Sequence, residues 1–100
     1  MLICFKTKKL QKQYEQSKMA VKAFGAEVAR KYIQRINIIK STANIKTLCS
    51  LPGLRCHPLK GDKKDYWAIN LTGYYRLIFS LKGKKLEIVC IEKVSKHYEE

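Results

Sequence analysis

The chain has no stretch approaching the roughly 20 apolar residues that a membrane span requires, which argues against a transmembrane protein. Its opening apolar residues, Leu2-Ile3-Cys4-Phe5, are too few for a signal-peptide core, and Lys6 places the charge on the wrong side of them. The four cysteines, Cys4, Cys49, Cys56 and Cys90, form no C-x-x-C pair and show no zinc-ligand spacing with the two histidines. A reduced, cytoplasmic setting is the expectation, with no metal and no small-molecule cofactor. Cys56 and Cys90 fall in apolar or alternating runs, where cysteine behaves as a small buried hydrophobe. Internal repeats, low-complexity tracts and Pro/Gly/Ser linkers are missing too, so residues 1–100 read as a single domain.

Acidic residues are scarce: 8 Asp and Glu face 21 Lys and Arg, for a formal net charge of +13. The excess runs through both halves of the chain and is not a tail. A field of that sign favours a polyanion, of which RNA or DNA is the commonest. With 46% hydrophobic residues the domain can still bury a core.

The hydrophobic period changes once along the chain. Leu2-Ile3-Cys4-Phe5 reads as an opening strand, and residues 7–18, rich in lysine and glutamine, as a mostly exposed helix with Leu10 and Tyr14 one turn apart. Gly25 interrupts. Val28, Tyr32, Ile36, Ile39 and Ala43 then recur at three- to four-residue spacing, the strongest helical stripe, with Arg30, Lys31, Gln34 and Lys40 on the opposite, solvated side. Asn44 is placed to cap a short helix over residues 45–50, and Pro52-Gly53 marks a turn. Beyond it the period is two. Strands are expected at 54–59, where Pro58 marks an edge or an end, and at 66–71, 74–81 and 85–94, with a loop at 60–64. The resulting expectation is an α+β fold, its N-terminal helices packed on one face of a curved, mainly antiparallel sheet and its other face partly open.

Both histidines sit among cations, in His57-Pro58-Leu59-Lys60-Gly61 and in Lys96-His97-Tyr98. Cleaving RNA needs a base for the 2′-hydroxyl, positive charge for the phosphorane and an acid for the leaving 5′-oxygen. Histidine suits the proton roles and arginine or lysine the phosphate. His57, Lys60, Arg76 and His97 are therefore the candidate catalytic set. Lys63, Lys64, Trp67, Tyr74, Lys96 and Tyr98 are candidates for binding RNA, the aromatics by stacking on an unpaired base. Each has a plainer reading. His57 suits a surface or cap position, Arg76 suits solvent or a cross-strand pair with Glu87, Lys63 and Lys64 suit loop charges that attract phosphate, Tyr74 suits a sheet edge, and His97 suits a frayed end.

Residues 54–62, Leu-Arg-Cys-His-Pro-Leu-Lys-Gly-Asp, with Tyr66-Trp67-Ala68-Ile69 and Tyr75-Arg76-Leu77-Ile78-Phe79 downstream, resemble the HigB-type toxins of the RelE/ParE superfamily. The likeness spans nearly the whole chain. It implies a toxin of a type II toxin–antitoxin system that enters the ribosomal A site and cleaves mRNA as a metal-independent endoribonuclease, held in check by a HigA-like helix-turn-helix antitoxin. It also implies that His57 and Lys60 belong to the active site and that Arg76 contacts the phosphate. The family's ending, an acidic residue, an aromatic and a histidine, is altered here to Ser95-Lys96-His97-Tyr98. The lysines that RelE toxins carry on the strand at residues 66–70 are absent. Two other readings share the fold: a ParE-like toxin that inhibits gyrase by protein contact, and a domesticated toxin that keeps only the fold and antitoxin binding.

Overall fold

The computed structural model describes residues 1–63 and 65–96, so Lys64, His97 and Tyr98 lie outside the described residues. Strand β1 (Leu2–Phe5) leads into helices α1 (Lys8–Glu15), α2 (Ser17–Phe24), α3 (Ala26–Ser41) and α4 (Ile45–Ser50). Strands β2 (His57–Pro58), β3 (Tyr66–Asn70), β4 (Tyr75–Lys82) and β5 (Ile88–Lys96) follow, with a 3₁₀ turn at Gly61–Lys63 between β2 and β3. They form one five-stranded sheet in the order β1-β5-β4-β3-β2, antiparallel except where β1 runs parallel to β5. The α+β expectation holds.

Local chemistry sets the helix ends. Thr7 Oγ1 accepts from the Leu10 amide at 3.1 Å and starts α1. Gln16, in an extended conformation, divides what reads in the sequence as one exposed helix, and a second helix follows to Phe24. Gly25, at φ +86°, ends α2 by donating to the Val21 carbonyl and begins α3 by accepting from Ala29. Asn44 caps α4 as expected, its Oδ1 accepting from the Thr47 amide at 2.8 Å. Ala43 does not extend the buried stripe of α3, because the helix stops at Ser41 and Thr42 takes the buried place, its hydroxyl donating to the Ile38 carbonyl.

The helices cover one sheet face. Val28, Tyr32, Ile36 and Ile39 of α3 and Leu48 of α4 pack on Ile69 of β3, Leu77 and Phe79 of β4, and Val89 and Ile91 of β5. Each such side chain contributes roughly 1.5–3 kcal/mol by leaving water. Along β5 the inward residues run 89, 91, then 94, because a bulge inserts Glu92 opposite the Ile78/Phe79 step of β4.

The second face, expected to be partly open, is closed at its centre. Its centre, formed by Ala68, Ile78 and Cys90, is 0%, 2% and 4% exposed, and Ser80 is buried with its hydroxyl donating to Glu92 at 2.8 Å.

Two strand expectations shift. Residues 54–59 yield only His57–Pro58, because Arg55 takes a left-handed conformation (φ +51°) that breaks the extended run. Residues 83–87 form a turn, with Leu86 at φ +53° donating its amide to the Gly83 carbonyl, so β5 begins at Ile88.

Candidate functional site

Pairing register decides which side chains share the helix-free face. His57 lies opposite Ala68, Ala68 opposite Ile78, and Ile78 opposite Lys93, giving one row across the sheet. The next row is Asn70, Arg76 and Ser95. Residues directly opposite point to the same side, so His57, Asn70 and Arg76 share the face away from the helices. His57 and Arg76 are two strands and two residues apart, or about 12 Å between Cα atoms by sheet geometry, a gap that long side chains span.

They meet in a cleft of about 350 Å³ lined by Arg55, His57, Asn70, Gly73 and Arg76. Among the described residues two guanidinium groups and an imidazole line it and no carboxylate does, so this lining attracts anions. Its floor is fixed through Asn70. The Asn70 amide donates to the Leu54 carbonyl at 2.8 Å, and its carbonyl accepts from Nε of Arg35 on α3 at 3.1 Å. One wall is the hairpin at 71–75, where the Leu71 and Thr72 amides both donate to the Tyr75 carbonyl. Tyr74 stands at the tip of that hairpin, 69% exposed, beside Gly73.

The left-handed turn at Arg55 brings its carbonyl to 2.7 Å from Nδ1 of His57. A carbonyl oxygen only accepts, so Nδ1 carries the hydrogen and Nε2 of the neutral ring holds the free electron pair. The same bond persists in the imidazolium. Nε2 can therefore take up and return a proton without the ring turning over.

The structure does not gather every sequence candidate. Lys60 does not line the cleft: it follows β2 and runs away from the Asn70–Arg76 row, its carbonyl accepting from the Lys63 amide as the 3₁₀ turn begins. Lys63 lies half-buried in that turn. Trp67 faces the helices, its ring stacked on Phe79 at 6.4 Å, so it packs the core. Lys96 lies opposite Tyr75 with its ammonium 5.7 Å from that ring, on the helix-bearing side. Arg76 lies opposite Ser95, far along β4 from Glu87, whose carboxylate accepts from the Lys85 amide. Among the described residues, no group of three His, Cys, Asp or Glu is placed to hold a metal ion. No described helix is long and apolar enough to cross a membrane.

Arg55, Asn70 and Gly73 escaped the sequence reading, as did Arg35. Only Arg35 left a signal: it falls in the buried stripe of α3, three residues after Tyr32 and four before Ile39.

A family model described as the RelE-like toxin of type II toxin–antitoxin system HigB matches residues 3–98. The chain belongs to the HigB-like toxins. Solved structures agree in fold with this toxin. A YoeB/ParE toxin from Agrobacterium tumefaciens aligns with TM-score 0.65 at 21% identity, over 98% of this chain and 100% of that one. A YoeB–YefM complex from Staphylococcus aureus aligns with TM-score 0.61 at 16% identity, over 98% and 99%. The E. coli DinJ–YafQ toxin–antitoxin complex aligns with TM-score 0.55 at 18% identity, over 97% and 92%. At these identities the likeness speaks to the fold alone. A search of curated protein sequences gave no match.

Proposed function

We propose that this toxin is a ribosome-dependent mRNA endoribonuclease whose cleft holds the scissile phosphate, and that a HigA-like helix-turn-helix antitoxin neutralises it. The observation that carries this reading is the placing of His57 and Arg76 in one cleft lined, among the described residues, by cations and no acids, with His57 Nε2 left able to exchange a proton. In the proposed step the 2′-oxygen attacks phosphorus and the bond to the 5′-oxygen breaks, leaving a 2′,3′-cyclic phosphate and a 5′-hydroxyl. His57 and His97 share the two proton transfers, one accepting from the 2′-hydroxyl and the other donating to the 5′-oxygen. Arg76, joined by Arg55, neutralises the phosphorane. Tyr74, exposed at the rim, offers a stacking surface for a base beside the cut. Lys60, Lys63, Lys64, Lys96 and Tyr98 are assigned to docking on the RNA of the ribosomal A site, where the net charge of +13 supplies attraction that weakens with salt.

Toe-printing of translating ribosomes tests the reading. The parent is expected to cut mRNA in the A site, and His57→Gln and Arg76→Ala are each expected to slow cutting by about 10²–10⁴-fold. Parent-like cutting by both variants would overturn the site. Intact mRNA combined with loss of DNA supercoiling on induced expression would favour the gyrase-binding reading.

A further inference from the structure

Two cysteines that play no part in the proposed chemistry lie against each other behind the cleft. Cys49, exposed in the last turn of α4, donates its thiol hydrogen to Cys56 Sγ at a sulfur–sulfur distance of 3.3 Å. Cys56 is the residue between Arg55 and His57, both of which line the cleft. Its side chain packs toward the core, on the opposite side of the strand from His57. A disulfide needs about 2.05 Å, so an approach of roughly 1.3 Å closes the bond. The seven-residue separation crosses the turn at Pro52-Gly53, where Gly53 has φ +83° and no atom lies within 4 Å of an added Cβ. The connecting loop therefore has room to adjust.

We propose that Cys49 and Cys56 form an intramolecular disulfide under peroxide, and that this bond anchors the Arg55–His57 segment to α4 from behind. Exposed Cys49 meets the oxidant first: its thiolate attacks one peroxide oxygen, the O–O bond breaks, and a sulfenic acid and hydroxide result. Cys56 sulfur then attacks Cys49 sulfur, the S–O bond breaks, and the hydroxyl leaves as water with the proton of Cys56. Two thiols and one hydrogen peroxide become one disulfide and two waters. Burial, then the hydrogen bond with Cys49 and its charge, pushes the Cys56 thiol up, so Cys56 keeps its proton and the first attack on peroxide falls to Cys49. The other neighbouring thiols, Cys4 and Cys90 in paired strands, are a poorer target because Cys90 is buried.

Trypsin gives a direct readout, since cleavage after Arg55 separates the two cysteines into peptides 47–55 and 56–60. After treatment of the folded toxin with stoichiometric peroxide and alkylation of free thiols, these peptides should appear joined in the monomer. The link should be lost in Cys49→Ser and kept in Cys4→Ala. In the oxidised protein, amide hydrogen exchange at Cys56 and His57 should slow by about tenfold or more, because local opening of the segment is then restricted. Four free thiols, irreversible oxidation of Cys49 alone, a Cys4–Cys90 link alone or a disulfide between two molecules would overturn the pair. A 49–56 link that leaves His57 exchange unchanged would overturn the anchoring. Neither readout involves RNA, so failure here is distinguishable from failure of the nuclease reading.

Discussion

Replacing Arg35 by Met tests whether a buried cation on α3 holds the cleft in place. Arg35 is 9% exposed, donates from Nε to the Asn70 carbonyl at 3.1 Å and from Nη1 to Gln34 Oε1 at 2.7 Å. Burial lowers the pKa of its guanidinium, a direction that still leaves it charged at neutral pH. Methionine keeps the apolar stem and removes every donor. A hydrogen bond from a charged group is worth about 1.5–3 kcal/mol, and the Asn70 carbonyl would lose a donor on the side facing β2. Against this stands the desolvation that the variant no longer incurs. The bond is expected to win, leaving Arg35→Met less stable by about 2 kcal/mol. With a urea dependence of roughly 1–2 kcal/mol per molar for a domain of this size, the unfolding midpoint should fall by about 1–2 M. Arg35→Lys, which restores a charge and one reaching donor, should fall between the two. A midpoint for Arg35→Met equal to or above the parent's would refute the argument, because desolvation would then outweigh the bond.

Asn44→Ala removes the cap of α4, whose Oδ1 accepts from Thr47 at 2.8 Å, and should cost about 1 kcal/mol in the same denaturation assay, with Asn44→Asp recovering most of it. Alkaline pH should also destabilise the toxin. Burial first, then the hydrogen bond with Cys4, pushes Cys90 up to about 12, so the folded state keeps a proton that the unfolded thiol loses above about 8.5. Stability from this group is complete below that value and declines toward pH 12, by up to about 1.4 kcal/mol per pH unit. Urea midpoints measured between pH 8 and 10 should fall less steeply in Cys90→Ala, and equal slopes would refute the assignment.

What the sequence made legible was local. The opening strand, the Asn44 cap and the stripe of Val28, Tyr32, Ile36 and Ile39 depend on neighbours within one or two turns, and all were found. What it concealed depends on pairing. Trp67 reads as an aromatic available for stacking until the register with Phe79 turns it toward the helices. Val94 and Ser95 change faces relative to strict alternation because of the bulge at Glu92, which no composition signal announces. The 54–59 run alternates like a strand, yet one left-handed residue confines pairing to His57–Pro58. His57 and Arg76 stood out as candidates from their type and surroundings and share the cleft, whereas Asn70 and Gly73 enter it only through the hairpin that joins β3 to β4. Arg35 stands within the buried stripe by its spacing, but its type masks its position, because charged residues on a helix usually face water.

Arg55 occupies a position that glycine would fill with less strain. An L-residue with a side chain gives up about 1–2 kcal/mol in the left-handed region, partly offset by the greater chain entropy that glycine loses on folding. Arg55→Gly should accordingly leave stability unchanged or slightly raised, while taking one of the two guanidinium groups from the cleft. Selection for heat resistance alone would drift toward glycine here, whereas selection for the proposed RNA cleavage would hold the arginine. Under the proposed function the two pressures oppose each other at a single residue, which ties the thermal tolerance of this protein to its potency.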